Sequence, residues 1–259
     1  MDIIASLQAL RTALPGKSNP RIGIWGDSLF QGVVLDDAAG RYRVLRENAV
    51  TMCSQALKAT IENFSKFGCT VTKGRQRLIQ HLDKGKPCDI AILEYGGNDC
   101  DMPWVEISAQ PELEHSPKVP LKQFSAMIQE MINALVSHGT IPLLTTLPPL
   151  HHERYLSWIC KGGLSRENIL RFLGDSHHIY RHHERYSLEI SRLGMENDCR
   201  VVDVRAAFLD YVDYGAFICS DGIHPNDKGQ KLIREAFMAF VDKYMPGIKL
   251  QPASPIATF

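Results

Sequence analysis

The chain has 259 residues, of which 44% are apolar and 22% are charged, enough for one sizeable α/β domain with its own core. Lysine plus arginine and aspartate plus glutamate balance at 29 each, so no net field draws the chain to nucleic acid or to an anionic membrane surface. We therefore expect neither nucleic acid nor a membrane among its partners.

The first residues lack a basic leader and a continuous apolar segment, so they do not indicate a signal peptide. Ile3, Leu7, Leu10 and Leu14 recur at helical spacing and predict a packed amphipathic helix. The seven cysteines are scattered and form no Cys-x-x-Cys pair, which favours reduced thiols in the core. These features predict a cytoplasmic protein.

Beyond residue 20, short apolar segments alternate with helix-patterned segments. Strands are predicted at 21–25, 60–64, 89–95, 141–146 and 200–204. Helices are predicted at 47–58, 72–83, 120–137, 165–173, 177–193 and 228–244. This alternation predicts a parallel sheet with helices on both faces. We expect a single domain over residues 1–246, followed by a loosely held tail at 247–259.

Two long stretches interrupt the alternation. Residues 101–119 contain three prolines and several acidic side chains, and residues 147–176 begin near a proline pair. Loops of this length in a compact domain are usually functional covers or disordered segments. We interpret 147–176 as a candidate cover, in which Tyr155 and Trp158 are candidates to contact the substrate.

The stretch Gly26-Asp27-Ser28-Leu29 directly follows the first predicted strand. It places Ser28 at the carboxyl edge of the sheet, where open α/β folds bind ligands, although Gly-Asp-Ser is also ordinary turn and helix-cap chemistry. Asp27, Trp25 and Phe30 flank this serine and are candidate substrate-binding residues, with core packing as the alternative for the two aromatic side chains.

Asp221 and His224 lie three residues apart in a loop between the last strand and the last helix. A carboxylate at this spacing can hold an imidazole through Nδ1–H and leave Nε2 free to take a proton from a serine hydroxyl. Asp175 and His178 have the same spacing, but they fit a helix cap and an exposed helix position. Only the pair at 221–224 follows a strand on the same edge as Ser28.

Two further loops offer hydrogen-bond donors at this edge. Asn98 follows the central strand after a glycine pair, and its side-chain amide can donate to a developing oxyanion. Gly68 follows the second strand and can present its backbone N–H. The alternative for both is an ordinary turn.

The histidines on the predicted helix 177–193 are candidate metal ligands. His178 and His182 are four residues apart, a spacing that can bind a metal, but no cysteine or carboxylate pattern completes a zinc signature. A solvated helix face is the alternative, and we expect no metal and no other cofactor.

Taken together, these motifs resemble those of the SGNH/GDSL hydrolase family. Four family blocks occur in order, namely Gly26-Asp27-Ser28-Leu29, Asn63…Gly68-x-Thr70, Gly96-Gly97-Asn98-Asp99 and Asp221-Gly222-Ile223-His224. The second block has Ser65 where the family often has glycine. The resemblance implies a flavodoxin-like three-layer α/β/α sandwich around a five-stranded parallel sheet.

The resemblance also implies roles for the site residues. Ser28 would be the nucleophile, His224 the general acid and base, and Asp221 the group that orients His224. The oxyanion hole would consist of the Ser28 and Gly68 backbone N–H groups and the Asn98 side chain.

We expect a serine esterase that removes small acyl groups from a small-molecule ester. Acetylated sugars are a candidate substrate class, because related enzymes often deacetylate carbohydrates. An acyltransferase, a thioesterase or a lysophospholipase would use the same residues, and a non-catalytic binding module on this fold is the remaining alternative.

Overall fold

A computed structural model describes Ala5, Gln8, residues 19–85 and residues 87–248 of the chain. The predicted amino-terminal helix centred on Leu7 and Leu10 lies outside the described residues, as does the predicted tail beyond residue 248. The division into one domain and a tail stays a prediction.

The core of the fold is a five-stranded, all-parallel sheet. In order across the sheet, its strands are β4 (Thr60–Asn63), β1 (Arg21–Trp25), β5 (Ile90–Leu93), β6 (Ile141–Thr145) and β7 (Arg200–Val202). The central strands β5 and β6 are buried along their whole length, as expected for a sheet covered on both faces. The predicted strands and the predicted flavodoxin-like α/β architecture are thus confirmed.

Helices cover both faces of this sheet. On one side α3 (Val71–Asp83), α5 (Leu121–Ser137) and α8 (His177–Glu196) pack side by side. On the other side α2 (Ala49–Ala56), α9 (Val204–Leu209) and α10 (Asp227–Tyr244) pack together. Five of the six predicted helices correspond to α2, α3, α5, α8 and α10, with small differences in their bounds, whereas the six-residue α9 was not predicted.

A short helix and a hairpin follow β1 and were also not predicted. Helix α1 (Ser28–Gln31) leads into strand β2 (Val33–Asp36), which pairs antiparallel with β3 (Arg41–Val44) as a separate two-stranded sheet. The buried face of this hairpin packs on the loop around Cys219.

The two stretches that interrupt the alternation lie together and contain helices. They carry α4 (Trp104–Ala109), α6 (His152–Cys160) and α7 (Arg166–Leu173), of which only α7 was predicted. We call residues 101–119 and 147–176 the cover. Its apolar side chains form a second hydrophobic cluster together with the first turn of α8, with Ile107, Leu150, Leu156, Ile169, Leu173 and Ile179 at the centre.

All seven cysteines are free thiols, and six of them are buried. Among the described residues, no helix combines the length and the apolar character needed to cross a bilayer.

Candidate active site

Ser28, His224 and Asp221 form a hydrogen-bonded chain at the carboxyl edge of the sheet. The Ser28 Oγ lies 2.9 Å from Nε2 of His224, and Nδ1 of His224 lies 2.6 Å from Oδ2 of Asp221. All three residues are buried, at 6%, 4% and 0% exposure. With the Nδ1 proton held by Asp221, Nε2 is left as the acceptor for the serine hydroxyl proton.

Strand β1 and a helix cap position Ser28. Because β1 ends at Trp25, the chain turns at Gly26 and begins α1 at Ser28. The Asp27 carboxylate caps this helix by accepting a hydrogen bond from Leu29 N at 2.9 Å. A left-handed Gly32 ends the helix after one turn.

The loop of Asp221 and His224 is fixed by its own hydrogen bonds. The Oδ1 of Asp221 accepts from the backbone N–H groups of Ile223 at 3.0 Å and His224 at 3.1 Å. Burial opposes ionisation of Asp221, but the hydrogen bonds from His224 and these N–H groups outweigh it and lower the pKa of the carboxyl. Asp221 is therefore an anion that can stabilise a positively charged His224. Asn226 caps α10 after this loop.

Gly222 joins this loop to the cover. It has a left-handed φ of 80°, and a Cβ there would lie 2.4 Å from Tyr155 N and 2.6 Å from His151 O. The Gly222 carbonyl accepts a hydrogen bond from His151 N at 2.8 Å. The backbone of the cover thus rests directly on the loop that carries His224.

Three buried carboxyl groups lie beneath the Ser28 turn. Asp27 and Glu94 are adjacent, since Glu94 Oε2 accepts a hydrogen bond from Asp27 N at 3.0 Å. Burial raises the pKa of both groups, and the charge of Asp27 adds to the rise for Glu94. Asp99 accepts from Val71 N at 2.8 Å, and burial raises its pKa to about 7. These groups hold β1, β5 and the start of α3 in register beneath the site.

Asn98 and Gly68 face the same space as Ser28. The Nδ2 of Asn98 donates to Oδ2 of Asp27 at 2.7 Å, which fixes the plane of the amide. An amide NH₂ group has two hydrogens, so a second N–H remains for a ligand. Gly68 and Asn98 both line the cavity that contains the Ser28 hydroxyl.

This cavity has a volume of about 330 Å³ and runs between the sheet edge and the cover. The Ser28 side of its wall includes Tyr42, Phe67 and His224. The cover and α8 form the rest of the wall, through Asp101, Met102, Trp104, His115, Pro117, Pro148, Leu150, Tyr155, Phe172, Leu173, His178, Ile179, His182 and His183.

Sequence comparison identifies the family of the chain. The model of the GDSL-like lipase/acylhydrolase family matches residues 24–232, a range that includes Ser28, Asn98 and His224. The chain belongs to the GDSL-like lipase/acylhydrolase family. Its activity is accordingly that of a hydrolase acting on esters. No curated protein is significantly similar to it in sequence.

Solved structures share the fold of this GDSL-like chain. A lipase/acylhydrolase from Enterococcus faecalis matches with a TM-score of 0.60 at 18% identity, over 90% of this chain and 100% of the other. An acetylxylan esterase from Geobacillus stearothermophilus matches with a TM-score of 0.58 at 18% identity, over 86% and 94%. The psychrotrophic esterase EstA from Pseudoalteromonas sp. matches with a TM-score of 0.54 at 17% identity, over 88% and 100%.

The aromatic candidates of this GDSL-like chain lie in different places. Trp25 is in the core, where it stacks on Phe64 with ring centroids 4.7 Å apart, and Phe30 packs edge-on against Phe237 of α10 at 5.5 Å. Neither lines the cavity, because β1 and α1 direct both rings toward the flanking helices. Trp158 is also outside the cavity wall and packs near Tyr42 at 6.0 Å.

Tyr155 and Asp27 do lie on the cavity wall. The Tyr155 hydroxyl donates to Oδ1 of Asp101 at 2.6 Å, and Trp104 Nε1 donates to the same oxygen at 2.8 Å. Lys118 Nζ lies 2.8 Å from Oδ2 of Asp101 and compensates its charge. In this cluster the charge of Asp101 on the cavity wall is balanced by Lys118.

Several residues of the GDSL-like site were missed from the sequence. Tyr42 of β3 packs against His224 with ring centroids 4.9 Å apart, and Phe67 lies parallel to His224 at 6.1 Å with 54% of its surface exposed. Neither residue belongs to a motif, so only the fold reveals them. Glu94 had a signal, because it is the one charged residue near the end of an otherwise apolar strand.

Asp175 and His178, which share the Asp-x-x-His spacing, behave differently from the pair at 221–224. Asp175 accepts from His178 N at 3.1 Å and pairs with Arg181, so it caps the start of α8 at the surface. Over residues 19–85 and 87–248, no group of three or more His, Cys, Asp or Glu side chains is arranged to hold a metal ion.

Proposed function

We propose that this protein is a serine ester hydrolase that acts through an acyl-enzyme intermediate on Ser28. The observation that carries the proposal is the chain Ser28 Oγ–His224 Nε2–Nδ1–Asp221, with distances of 2.9 and 2.6 Å. In this arrangement the hydroxyl is activated by a base whose tautomer is fixed by a buried anion.

The reaction has two steps. His224 Nε2 takes the Ser28 proton as Oγ attacks the acyl carbon, and it returns that proton to the alcohol oxygen when the C–O bond breaks. Water then attacks the acyl-Ser28 carbon and gives a proton to His224. The acid leaves as His224 returns the proton to Oγ.

The oxyanion of each step needs donors that are already in place. We assign these to the backbone N–H groups of Ser28 and Gly68 and to the free N–H of Asn98, and losing one such donor typically costs about 10²–10³ in turnover. The hydrogen bond from Asn98 to Asp27 supports this role, because it fixes the amide before substrate binds.

We further propose small acyl groups, and acetyl esters of carbohydrates in particular, as substrates. A cavity of about 330 Å³ with aromatic and hydrogen-bonding walls supports a compact ester, and the fold resembles that of an acetylxylan esterase. Free and mostly buried thiols support a reducing compartment, so cytoplasmic location is part of the proposal.

A serine-directed fluorophosphonate followed by peptide mapping tests the proposal. We expect labelling on Ser28 that is lost in Ser28→Ala and in His224→Ala. Ser220→Ala is the matched control, since Ser220 is an exposed serine next to Asp221 that hydrogen bonds to Asp37, and it should keep the label. Labelling that persists in Ser28→Ala contradicts the nucleophile assignment. An unlabelled wild-type protein that cleaves no ester points to a binding module instead.

A further inference from the structure

We propose that the α8 wall of the cavity, formed by His178, Ile179, His182 and His183, binds an uncharged hydroxyl-bearing part of the ester substrate through His182 and His183. The proposal rests on the proposed esterase function and adds a recognition site to it. The four residues follow the spacing i, i+1, i+4, i+5, which puts them on one face of α8, and all four line the cavity.

The first observation is that His182 and His183 have buried ring nitrogens without partners. Nδ1 of His183 and Nε2 of His182 are inaccessible to solvent and make no hydrogen bond with any described residue. His183 as a whole is only 6% exposed. Buried polar atoms in native proteins are nearly always paired with protein, water or ligand, because an unpaired one is costly. Both rings also line the cavity, so a polar ligand group there would meet the other nitrogen of each ring.

The second observation is that the surroundings of both imidazoles favour the neutral form. Burial and then the charge of Arg205 lower the pKa of His183 to about 3. Burial, followed by His178 and Arg185, lowers the pKa of His182. A neutral imidazole has one N–H donor and one nitrogen acceptor, which matches a hydroxyl group that also donates and accepts.

The third observation is that nearby charges are already compensated. Arg205 pairs with Glu184, donates to the Leu147 carbonyl at 2.9 Å and lies over the Tyr180 ring. Asp101, which also lines the cavity, is bound by Lys118, Trp104 and Tyr155. No lysine or arginine is found among the described residues that line the cavity, so an uncharged group fits it better than a phosphate or a carboxylate.

The remaining walls suit the carbon skeleton of such a group. Trp104 and Tyr155 pack edge to face with ring centroids 6.2 Å apart, and Phe172 also lines the cavity. Binding sites typically combine such apolar surfaces with a few hydrogen-bonding groups that fix orientation. We infer that the imidazoles select substrates by hydroxyl groups rather than by chain length.

The hydroxyl can belong to the alcohol or to the acyl part of the ester, and two substrate pairs distinguish these sources. The first pair is glyceryl monoacetate against propyl acetate, and the second is an ω-hydroxyacyl p-nitrophenyl ester against the unsubstituted ester of equal chain length. In at least one pair, kcat/KM of the wild-type enzyme should favour the hydroxylated ester by about tenfold or more. Equal kcat/KM values within both pairs, with all esters cleaved, overturn the proposal.

Variants of the enzyme then show which residues cause the preference for hydroxylated esters. His183→Leu and His182→Leu should bring the kcat/KM ratio of the discriminating pair close to one, whereas His183→Asn, which keeps a donor and an acceptor, should restore part of it. His138→Leu is the matched control, because His138 is an exposed histidine that caps the far end of α5. Its ratio should equal that of the wild type. A ratio that survives in both leucine variants overturns the assignment to α8.

Failure of the esterase proposal remains distinguishable from failure of this one. If no ester is cleaved and Ser28 is not labelled, calorimetry can still measure the binding of the amide analogues of the same two pairs and so test the α8 subsite. A hydroxylated amide that binds about tenfold more tightly than its alkyl partner supports the α8 subsite. Equal affinities within both pairs overturn it.

Discussion

Glu94 accepts a hydrogen bond from the backbone N–H of Asp27 at 3.0 Å, directly beneath the turn that presents Ser28. Asp27 also receives hydrogen bonds from Leu29 N and Asn98 Nδ2, and the side chain of Glu94 hydrogen bonds to its carboxyl group. Because hydrogen-bond donors favour the charged form, Asp27 is the carboxylate of this pair and Glu94 keeps its proton. A neutral acid thus supports the nucleophile turn.

Glu94→Gln should therefore preserve the turn and change the pH dependence of stability. The pKa of Glu94 is raised above its ordinary 4.5, so above that pH the unfolded chain releases a proton that the folded chain holds. Wild-type stability from this group is complete at low pH and falls by up to about 1.4 kcal/mol per pH unit as pH rises toward the folded pKa. The glutamine variant does not titrate.

Urea unfolding at a series of pH values checks this. The unfolding free energy of Glu94→Gln minus that of the wild type should increase as the pH rises above about 5. Glu62→Gln is the control, since Glu62 lies on the exposed edge of β4 and its replacement should show no such trend. A difference for Glu94→Gln that is constant with pH would mean that Glu94 is ionised in the folded state.

Gly26→Ala should destabilise the protein and impair ester hydrolysis. A Cβ at residue 26 would lie 2.7 Å from Oε2 of Glu94 and 3.1 Å from Oγ of Ser65, so the turn must shift. We expect a loss of about 1–3 kcal/mol in the free energy of unfolding, together with a lower kcat. Gly162→Ala, where a Cβ meets nothing within 4 Å, should change neither quantity. Equal stability of the two variants would refute the tight packing at Gly26.

Asp221→Asn should lower kcat by about 10⁴ while the protein stays folded. The asparagine amide can donate toward Nδ1 of His224, which stabilises the tautomer that carries its proton on Nε2, and it cannot balance a charged imidazole. Steady-state kinetics together with circular dichroism separate this effect from unfolding. Asp175→Asn, in the surface pair of the same spacing, is the control and should have wild-type kcat. A loss of less than tenfold would argue against Asp221 as the orienting group.

In His183→Leu, the free energy of unfolding should decrease less than in the wild type as the pH falls below 6.5. The pKa of His183 is about 3 in the folded state against an ordinary 6.5, so below pH 6.5 the unfolded chain takes up a proton that the folded chain does not. Stability from this neutral histidine is complete above pH 6.5 and is lost by about 1.4 kcal/mol per pH unit as pH falls toward 3.

Denaturant unfolding of wild type and His183→Leu from about pH 7 to about pH 4 measures this contribution. The unfolding free energy of the wild type minus that of His183→Leu should decrease steadily as the pH falls across this range. The same difference measured for His138→Leu, at the exposed end of α5, is the reference. If the unfolding free energies of wild type and His183→Leu depend on pH in the same way, His183 is protonated equally easily in the folded and unfolded states.

The sheet and most helices were predictable because each has a strong local pattern. The run from Ile90 to Leu93 is continuously apolar, as a strand buried on both faces must be. The hairpin β2–β3 was missed, since β3 is a largely exposed strand with alternating arginines and no clear apolar face. The short helices α4 and α6 hold their shape through the second hydrophobic cluster rather than through strong sequence signals.

Some residues of the candidate site were predictable from local sequence patterns, and others were not. Ser28, Gly68 and Asn98 were predictable, because each follows a strand and parallel strands end at one edge. The pair at 221–224 was found from its Asp-x-x-His spacing before the last helix, although α9 separates it from β7. Their roles stay predictions until the chemistry is measured. Tyr42, His182 and His183 were not predictable as site residues, since only the packing of the hairpin and of α8 brings them to the cavity.

The close contact at Gly222 has a mechanical consequence. The first turn of α6 presses on this residue through backbone atoms alone, and Arg154 Nη1 holds the same region by donating to the carbonyls of Gly215 and Ile218. An outward swing of α6 would drag the imidazole away from the serine hydroxyl. The cover and the loop that carries His224 are therefore mechanically coupled, and the hydrogen bond between Ser28 and His224 depends on α6 staying in place.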